Sequence, residues 1–217
     1  MTDVPARIGR LDSCALSDAL DKLDLKGAVT GIHRLSTDRR IAGRVLTVKL
    51  VADDGRVAAS RHLGTAAIES AQPGDVIVVE QRTGIDAAGW GGTLSLGASL
   101  RGVAGVIIEG PARDVDESAQ HDFPVFARDH TARTARGRIV EAGTNVPIVV
   151  GEIPVSPGDF VVADGSCVVF VKAGEVERVL DAAEAIADRE RSMAESLRAG
   201  TPISQVMGKS YETMLKK

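Results

Sequence analysis

Residues 89–116 read GWGGTLSLGASLRGVAGVIIEGPARDVD, and this stretch decides the fold. Gly89, Gly91 and Gly92 bracket Trp90 and make a glycine-rich turn. Gly92 to Arg101 is expected as a helix, and Gly102 gives a tight connection out of it. Val103–Ile108 (VAGVII) is a short continuous apolar run, expected as a buried strand. Gly110–Pro111 is expected as a second turn, after which Arg113 and Asp114 follow. Turn, helix, buried strand and charged exit make one unit of an α/β fold. The C-terminal end of such a strand is where open α/β sheets place their chemistry.

The residue types in this unit point to an anionic ligand. Glycines ahead of a helix leave backbone N–H groups facing outward, and with the helix dipole they suit a carboxylate or a phosphate. Arg113 offers a planar fork for a carboxylate. Asp114 offers hard oxygen ligands for Mg²⁺ or Mn²⁺. Spacing alone leaves a plainer reading open, in which Arg113 and Asp114 form an ordinary surface turn and the glycines only permit close packing.

Upstream, Ser13–Leu25 is expected as a helix capped by Asp12 or Ser13. Leu16, Ala19, Leu20 and Leu23 form its apolar stripe, and Gly27 closes it. Ile41–Val51 alternates like a half-buried strand, and Arg61–Ala71 has helical spacing that stops at Pro73. Two segments resemble each other: QPGDVIVVE at 72–80 and SPGDFVVAD at 156–164. Each is a Pro-Gly-Asp turn leading into a short β-branched strand that ends in a carboxylate, which points to similar halves. Pro124–Ala127 and Pro147–Val150 are further short strands. Glu175–Arg198 is a long amphipathic helix bounded by Gly200 and Pro202, and the tail Ile203–Leu215 is a further helical turn or a partner contact. No Pro/Ser-rich linker interrupts the sequence, so residues 1–217 are expected to form one domain, with helices around a mainly β core.

Composition bounds the partners. Of the 217 residues 44% are hydrophobic but only 3% aromatic, so the core must be filled mainly by Val, Ile, Leu and Ala. A net charge of −4 is no footprint for nucleic acid. The one basic stretch (Arg128, Arg133, Arg136, Arg138) is interrupted by Asp129 and flanked by Glu141, and reads as a solvated loop ahead of a phosphate-binding patch. Cys14 and Cys167 match no motif and are expected as buried free thiols. No apolar run reaches the ~18–20 residues that span a bilayer, and Met1–Leu11 lacks a signal peptide's apolar core, so a cytoplasmic protein without membrane contact is expected. Gly208-Lys209-Ser210 is not a phosphate loop, because Ile203 stands where the pattern needs glycine. A dinucleotide fingerprint around Trp90 fails at Leu94. His33, His62, His121 and His130 lack paired zinc spacing.

From about Leu16 to Leu215 the chain resembles the RraA-like family, which includes 4-hydroxy-4-methyl-2-oxoglutarate aldolases. LSDALDKL, QPGDVIVV, WGGTLSLGASLRGVAGVIIEGPARD, FPVFAR, VSPGDFVVADG and AGTPISQVMGKSYETML carry the resemblance, in the family's order. It implies a swivelling β/β/α fold like that of phosphohistidine domains, assembled as homotrimers or homohexamers. It also implies a metal-dependent aldolase with no Schiff-base lysine, cleaving a 4-hydroxy-2-oxo acid to pyruvate and decarboxylating oxaloacetate. The backbone of Gly91, Gly92, Thr93 and Leu94 would bind the carboxylate of a small 2-oxo acid substrate. Arg113 would act on the pyruvyl moiety as the catalytic cation, and Asp114 would hold a divalent metal, Mg²⁺ or Mn²⁺, partly through waters. One departure stands out: some family aldolases carry a proton-transferring Asp where this chain has Gly92. The general base is therefore unassigned, and Glu109, Asp116, Glu117 and Asp164 are expected in supporting or surface roles. The family also implies an alternative of a different class, a non-catalytic protein-binding regulator like the ribonuclease E inhibitors.

Overall fold

The computed structural model describes residues 3–55 and 61–208. Two short elements open the chain, α1 (Val4–Ile8) and α2 (Ser13–Lys22), with the Asp12 carboxylate accepting from the Ala15 amide as N-cap. Helix α2 stops at Lys22, short of the expected Leu25, because Asp24 takes a left-handed conformation (φ 59°) and turns the chain. Gly27 plays a different part from the expected helix stop: a side chain there would run into the Phe170 carbonyl and Leu20. Strands β1 (Ala28–Val29) and β2 (His33–Arg34) follow, then the long β3 (Ile41–Ala52).

Strand β3 organises everything else. One edge pairs in parallel with β4 (Val76–Gln81), from Val45–Val76 to Leu50–Gln81. β4 pairs in parallel with β5 (Gly105–Ala112), and β5 with β6 (Val125–His130). Parallel neighbours need crossovers, and the chain supplies them as α3 (Thr65–Ser70), α4 (Gly92–Leu100) and α5 (Val115–Gln120). The other edge of β3 is shared by two antiparallel strands. These are β7 (Ile139–Thr144) against its C-terminal half and, after a hairpin of β8 (Ile148–Val150) and β9 (Ile153–Val155), β10 (Phe160–Ala163) against its N-terminal half. β11 (Val168–Val171) pairs with β10 and β1, and the long α6 (Val176–Arg198) and short α7 (Ile203–Val206) complete the described chain.

Three apolar clusters define the layers. Leu46, Val48, Ile77, Val79, Val106 and Ile108 meet Ile68, Leu94 and Ala98 of the crossover helices. The opposite faces of the same strands (Val45, Val76, Val78, Ile107, Phe126) meet the β8–β9 hairpin and the inner face of β10 and β11. The outer face of β10 and β11 is covered by α1, α2 and α6 through Leu16, Leu20, Val179 and Leu180. The two β layers with the crossover helices on one outer face are the β/β/α arrangement, and α1, α2 and α6 cover the other outer face. Strands buried on both faces show no alternation, which is why VIVV and GVII read as unbroken apolar runs.

The two Pro-Gly-Asp segments flank β3 on opposite edges as β4 and β10, built by the same turn. Gly74 and Gly158 have φ of 87° and 88°. Asp75 and Asp159 are buried and accept the amides of Gln72 and Ser156, each at 2.9 Å. Each aspartate also holds a cation, Arg44 at 3.0 Å and Lys172 at 2.9 Å. The halves are thus alike in their turns, yet one strand enters parallel and the other antiparallel.

Three further expectations are corrected. Helix α3 begins at Thr65 rather than Arg61, because Gly64 ahead of it is left-handed (φ 78°). Gly110–Pro111 is no turn: β5 runs through it to Ala112 with a bulge, the register against β6 shifting between Ile108 and Pro111. Cys14 is exposed and Cys167 half-buried, so neither is a core thiol. The tail Ile203–Leu215 is described only to residue 208, so most of it, like Lys209 and Ser210, lies outside the described residues.

Candidate active site

The site forms where β5 ends and α4 begins. Trp90 is buried and stacks on Phe123 with ring centroids 6.3 Å apart. Its carbonyl accepts the Arg113 amide at 2.9 Å, and the Gly89 amide donates to the Pro111 carbonyl at 2.9 Å. The glycine turn is thereby stitched to the end of β5. The bulge makes this possible: it inserts backbone that re-aims the strand end, and Gly110 lies so close to the Gln81 backbone that a Cβ would come within 2.6 Å of the Gln81 carbonyl. Gln81, itself buried, donates to the Ile85 and Ala87 carbonyls at 3.0 and 2.8 Å and so shapes the loop leading into Gly89.

Asp114 sits in the left-handed region (φ 53°, ψ 43°), a conformation that Asp tolerates better than most residues. Strained backbone of this kind gathers at functional sites. The Asp114 carboxylate lies against Gly91 and Gly92. It accepts the Gly92 amide at 3.2 Å and Arg113 Nε at 3.1 and 3.2 Å. Gly91 is required by this contact, since a Cβ there would stand 2.8 Å from Asp114 Oδ2 and 3.2 Å from Arg113 Cγ.

Buried hydroxyls fix the arrangement from behind. The Trp90 indole donates to Ser95 Oγ at 3.0 Å, Ser95 and Ser118 hydroxyls meet at 2.8 Å, and Ser118 Oγ donates to the Asp114 carbonyl at 3.1 Å. Helices α4 and α5 are locked together through polar groups that packing has removed from water. Nothing in the sequence singled out Ser95 or Ser118, because the contact that gives them their role joins two separate helices.

The expected site residues are therefore brought together, with one change. Of the α4 amides, that of Gly92 is taken by Asp114, while those of Thr93 and Leu94 have no acceptor among the described residues. Arg113 uses its Nε on Asp114, which leaves its terminal nitrogens open to a ligand. A cavity of about 240 Å³ opens onto Gly91, Thr93, Leu94, Arg113 and Asp114, and its other walls are His62, Leu63, Ala88, Trp90 and the loop Thr134–Arg136. His62 Nδ1 lies 3.0 Å from the Leu63 carbonyl, so it carries the hydrogen, and Nε2 is left as the open ring nitrogen.

The remaining carboxylates sort by position. Glu109 is buried and accepts Arg128 and the Gly151 amide, a structural clamp between β5, β6 and the β8–β9 hairpin. Asp164 accepts the amide and hydroxyl of Ser13 at 2.8 and 2.7 Å and docks the start of α2. Asp116 is exposed. Glu117 stands over Gly92: a Cβ at 92 would lie 2.8 Å from Glu117 Cγ and closer still to its carboxylate. Among the described residues, no three ligating side chains gather into a metal cluster. Asp114 alone presents a carboxylate to the cavity, which fits a cation that keeps most of its positions for water and substrate oxygens, as Mg²⁺ does.

A β/β/α fold with a glycine-rich helix start facing an Arg-Asp pair defines the class, and comparison with known proteins places the chain within it. The chain belongs to the RraA-like family, described as Aldolase/RraA, whose match covers residues 13–170. A Halalkalibacterium halodurans protein named "Putative 4-hydroxy-4-methyl-2-oxoglutarate aldolase" is 30% identical over 193 residues, covering 87% of this chain and 88% of that one. Protein DlpA of Legionella pneumophila is 25% identical over 194 residues; the alignment covers 89% of this chain but only 31% of DlpA. Among solved structures, an uncharacterized protein from Pseudomonas syringae superposes with a TM-score of 0.83 at 29% identity, covering 94% of this chain and 96% of that one. No helix among the described residues is long and apolar enough to cross a membrane.

Proposed function

We propose that the protein is a divalent-metal-dependent lyase that cleaves 4-hydroxy-4-methyl-2-oxoglutarate, or a related 4-hydroxy-2-oxo acid, to pyruvate and also decarboxylates oxaloacetate. The observation that carries this reading is the convergence of the Thr93 and Leu94 amides, the Arg113 guanidinium and the Asp114 carboxylate on one cavity. Two relatives named "Putative 4-hydroxy-4-methyl-2-oxoglutarate aldolase", 30% and 33% identical to this chain, support it.

Retro-aldol cleavage removes the proton of the C4 hydroxyl and breaks the C3–C4 bond. The electron pair stays on the pyruvyl fragment as an enolate, which takes a proton at C3. Loss of carbon dioxide from oxaloacetate leaves the same enolate. Both reactions need positive charge at the 2-oxo oxygen as it becomes an enolate oxygen. Asp114 would hold a divalent cation, which would supply Lewis acidity to the reaction. The chain's own part is to receive the substrate carboxylate on the Thr93 and Leu94 amides, at the positive end of the α4 dipole. The free nitrogens of Arg113 add a second fixed charge. Trp90, Leu63 and Leu94 wall the cavity with apolar surface, which strengthens both interactions.

The test is pyruvate release from each substrate with Mg²⁺ or Mn²⁺ and then with EDTA, for wild type, Asp114→Ala and Asp114→Asn. Metal-dependent turnover lost in both variants establishes the reading. Absence of turnover on either substrate under every condition overturns it and favours a binding protein.

A further inference from the structure

We infer that Arg136 reads a second carboxylate, so that the site selects 2-oxo acids acidic at both ends over those acidic at one. The inference rests on the substrate class proposed above and adds to it the residue that discriminates within that class.

The basic stretch 128–138 contains four arginines, and the structure gives three of them other work. Arg128 is clamped on Glu109 at 3.1 and 2.9 Å and also donates to the Thr30 carbonyl. Arg133 pairs with Asp86 at 3.3 Å. Arg138 donates to the Thr134 carbonyl at 3.2 Å. Arg136 is the member of the set that lines the cavity, and its guanidinium has no acceptor among the described residues. The loop that carries it is held in place. The Arg136 amide bonds Thr134 Oγ1 at 3.4 Å, and the Arg138 and Ile139 amides both reach the Ala135 carbonyl, at 2.9 and 3.0 Å.

Charge completes the argument. The arginines and carboxylates lining the cavity are Arg113, Asp114 and Arg136. Arg113 and Asp114 are 3.1 Å apart and pair with one another, whereas the Arg136 guanidinium pairs with no group of the chain among the described residues. A monocarboxylate seated on the α4 amides leaves it so. A substrate with a second carboxylate beyond C3 places an anion where a planar, bidentate donor is already waiting. A solvated arginine with no ligand is the competing explanation, and binding distinguishes the two.

The probes are 2-oxoglutarate and 2-oxopentanoate, which share a five-carbon chain and differ in carrying a carboxylate or a methyl group at C5. Neither has the C4 hydroxyl that retro-aldol cleavage requires. Calorimetric titration in the presence of Mg²⁺, on wild type and Arg136→Gln, measures the ratio of the two dissociation constants. Wild type is expected to prefer the diacid by roughly ten- to a hundredfold, the worth of a charged hydrogen-bonded pair. In Arg136→Gln that ratio is expected to fall toward one, with Arg136→Lys between them because a point charge replaces the fork. A wild-type ratio near one, or a ratio that survives in Arg136→Gln, overturns the inference. Unchanged thermal melting of Arg136→Gln shows that the loss is not one of folding. Because the probes report binding alone, this outcome is read separately from whether wild type cleaves any substrate.

Discussion

The carboxylate of Glu117 occupies the space directly above Gly92, where any side chain at 92 would have to grow. The two residues lie on different helices, α4 and α5, and each determines what the other can be. Gly92→Asp would set one carboxylate into the volume of another, adding like-charge repulsion to overlap. The Glu117 side chain is about half exposed and can swing outward, so the cost is moderate, about 1–2 kcal/mol. Glu117→Ala in the same chain is expected to restore most of it. Denaturant unfolding of the two single variants and the double variant gives the coupling energy, and strict additivity would refute the contact.

The hydroxyl pair behind the site gives an ordered prediction. Ser95→Ala strips the buried Trp90 indole N–H of its acceptor, and a buried donor left unpaired costs about 1–3 kcal/mol. Ser118→Ala leaves Ser95 still able to donate to the Gly91 carbonyl at 3.3 Å, so its cost should be smaller, about 1 kcal/mol. Trp90 is the only tryptophan, and its fluorescence reports unfolding directly. The reverse order of the two losses would mean that Ser118, not Ser95, carries the network.

These two serines also show where the sequence stops being legible. The helix after the glycine turn, the apolar runs of β4 and β5 and both Pro-Gly-Asp turns are local patterns, and they could be read because neighbours in sequence make them. The Ser95–Ser118 bond joins residues 23 apart on separate helices, and neither serine differs in sequence from a surface one. The same limit hid Glu117 above Gly92 and the loop Thr134–Arg136 over the cavity. It also made Gly110–Pro111 look like a turn. Proline and glycine break regular pairing in either case, and only the shifted register against β6 distinguishes a bulge from a chain reversal.

The backbone at Asp114 yields a third expectation. At φ 53° alanine pays the left-handed penalty of about 1 kcal/mol, whereas asparagine adopts this region readily. Asp114→Ala should therefore melt below Asp114→Asn, although both remove the charge. Equal melting temperatures would show that the left-handed conformation relaxes once the carboxylate no longer holds Gly92 and Arg113.

Asp164 ties stability to pH. Burial alone would raise its pKa, but the bonds it accepts from the Ser13 amide and hydroxyl, with help from the Ser166 amide, outweigh burial and hold the carboxyl below the ordinary aspartate range. A carboxylate whose folded pKa is depressed stabilises the protein above its unfolded pKa, about 3.9, and loses that contribution as pH falls through the folded value. The gain is modest, because Asp164 is partly open to water; as a docking acceptor at the start of α2 it is worth about 1 kcal/mol. Asp164→Asn should accordingly be less stable than wild type at neutral pH, and the gap should close as the pH falls below about 4. Unfolding of the two proteins by urea across that range measures the gap. A gap that stays constant would assign the loss to geometry at Ser13 rather than to the carboxylate's charge.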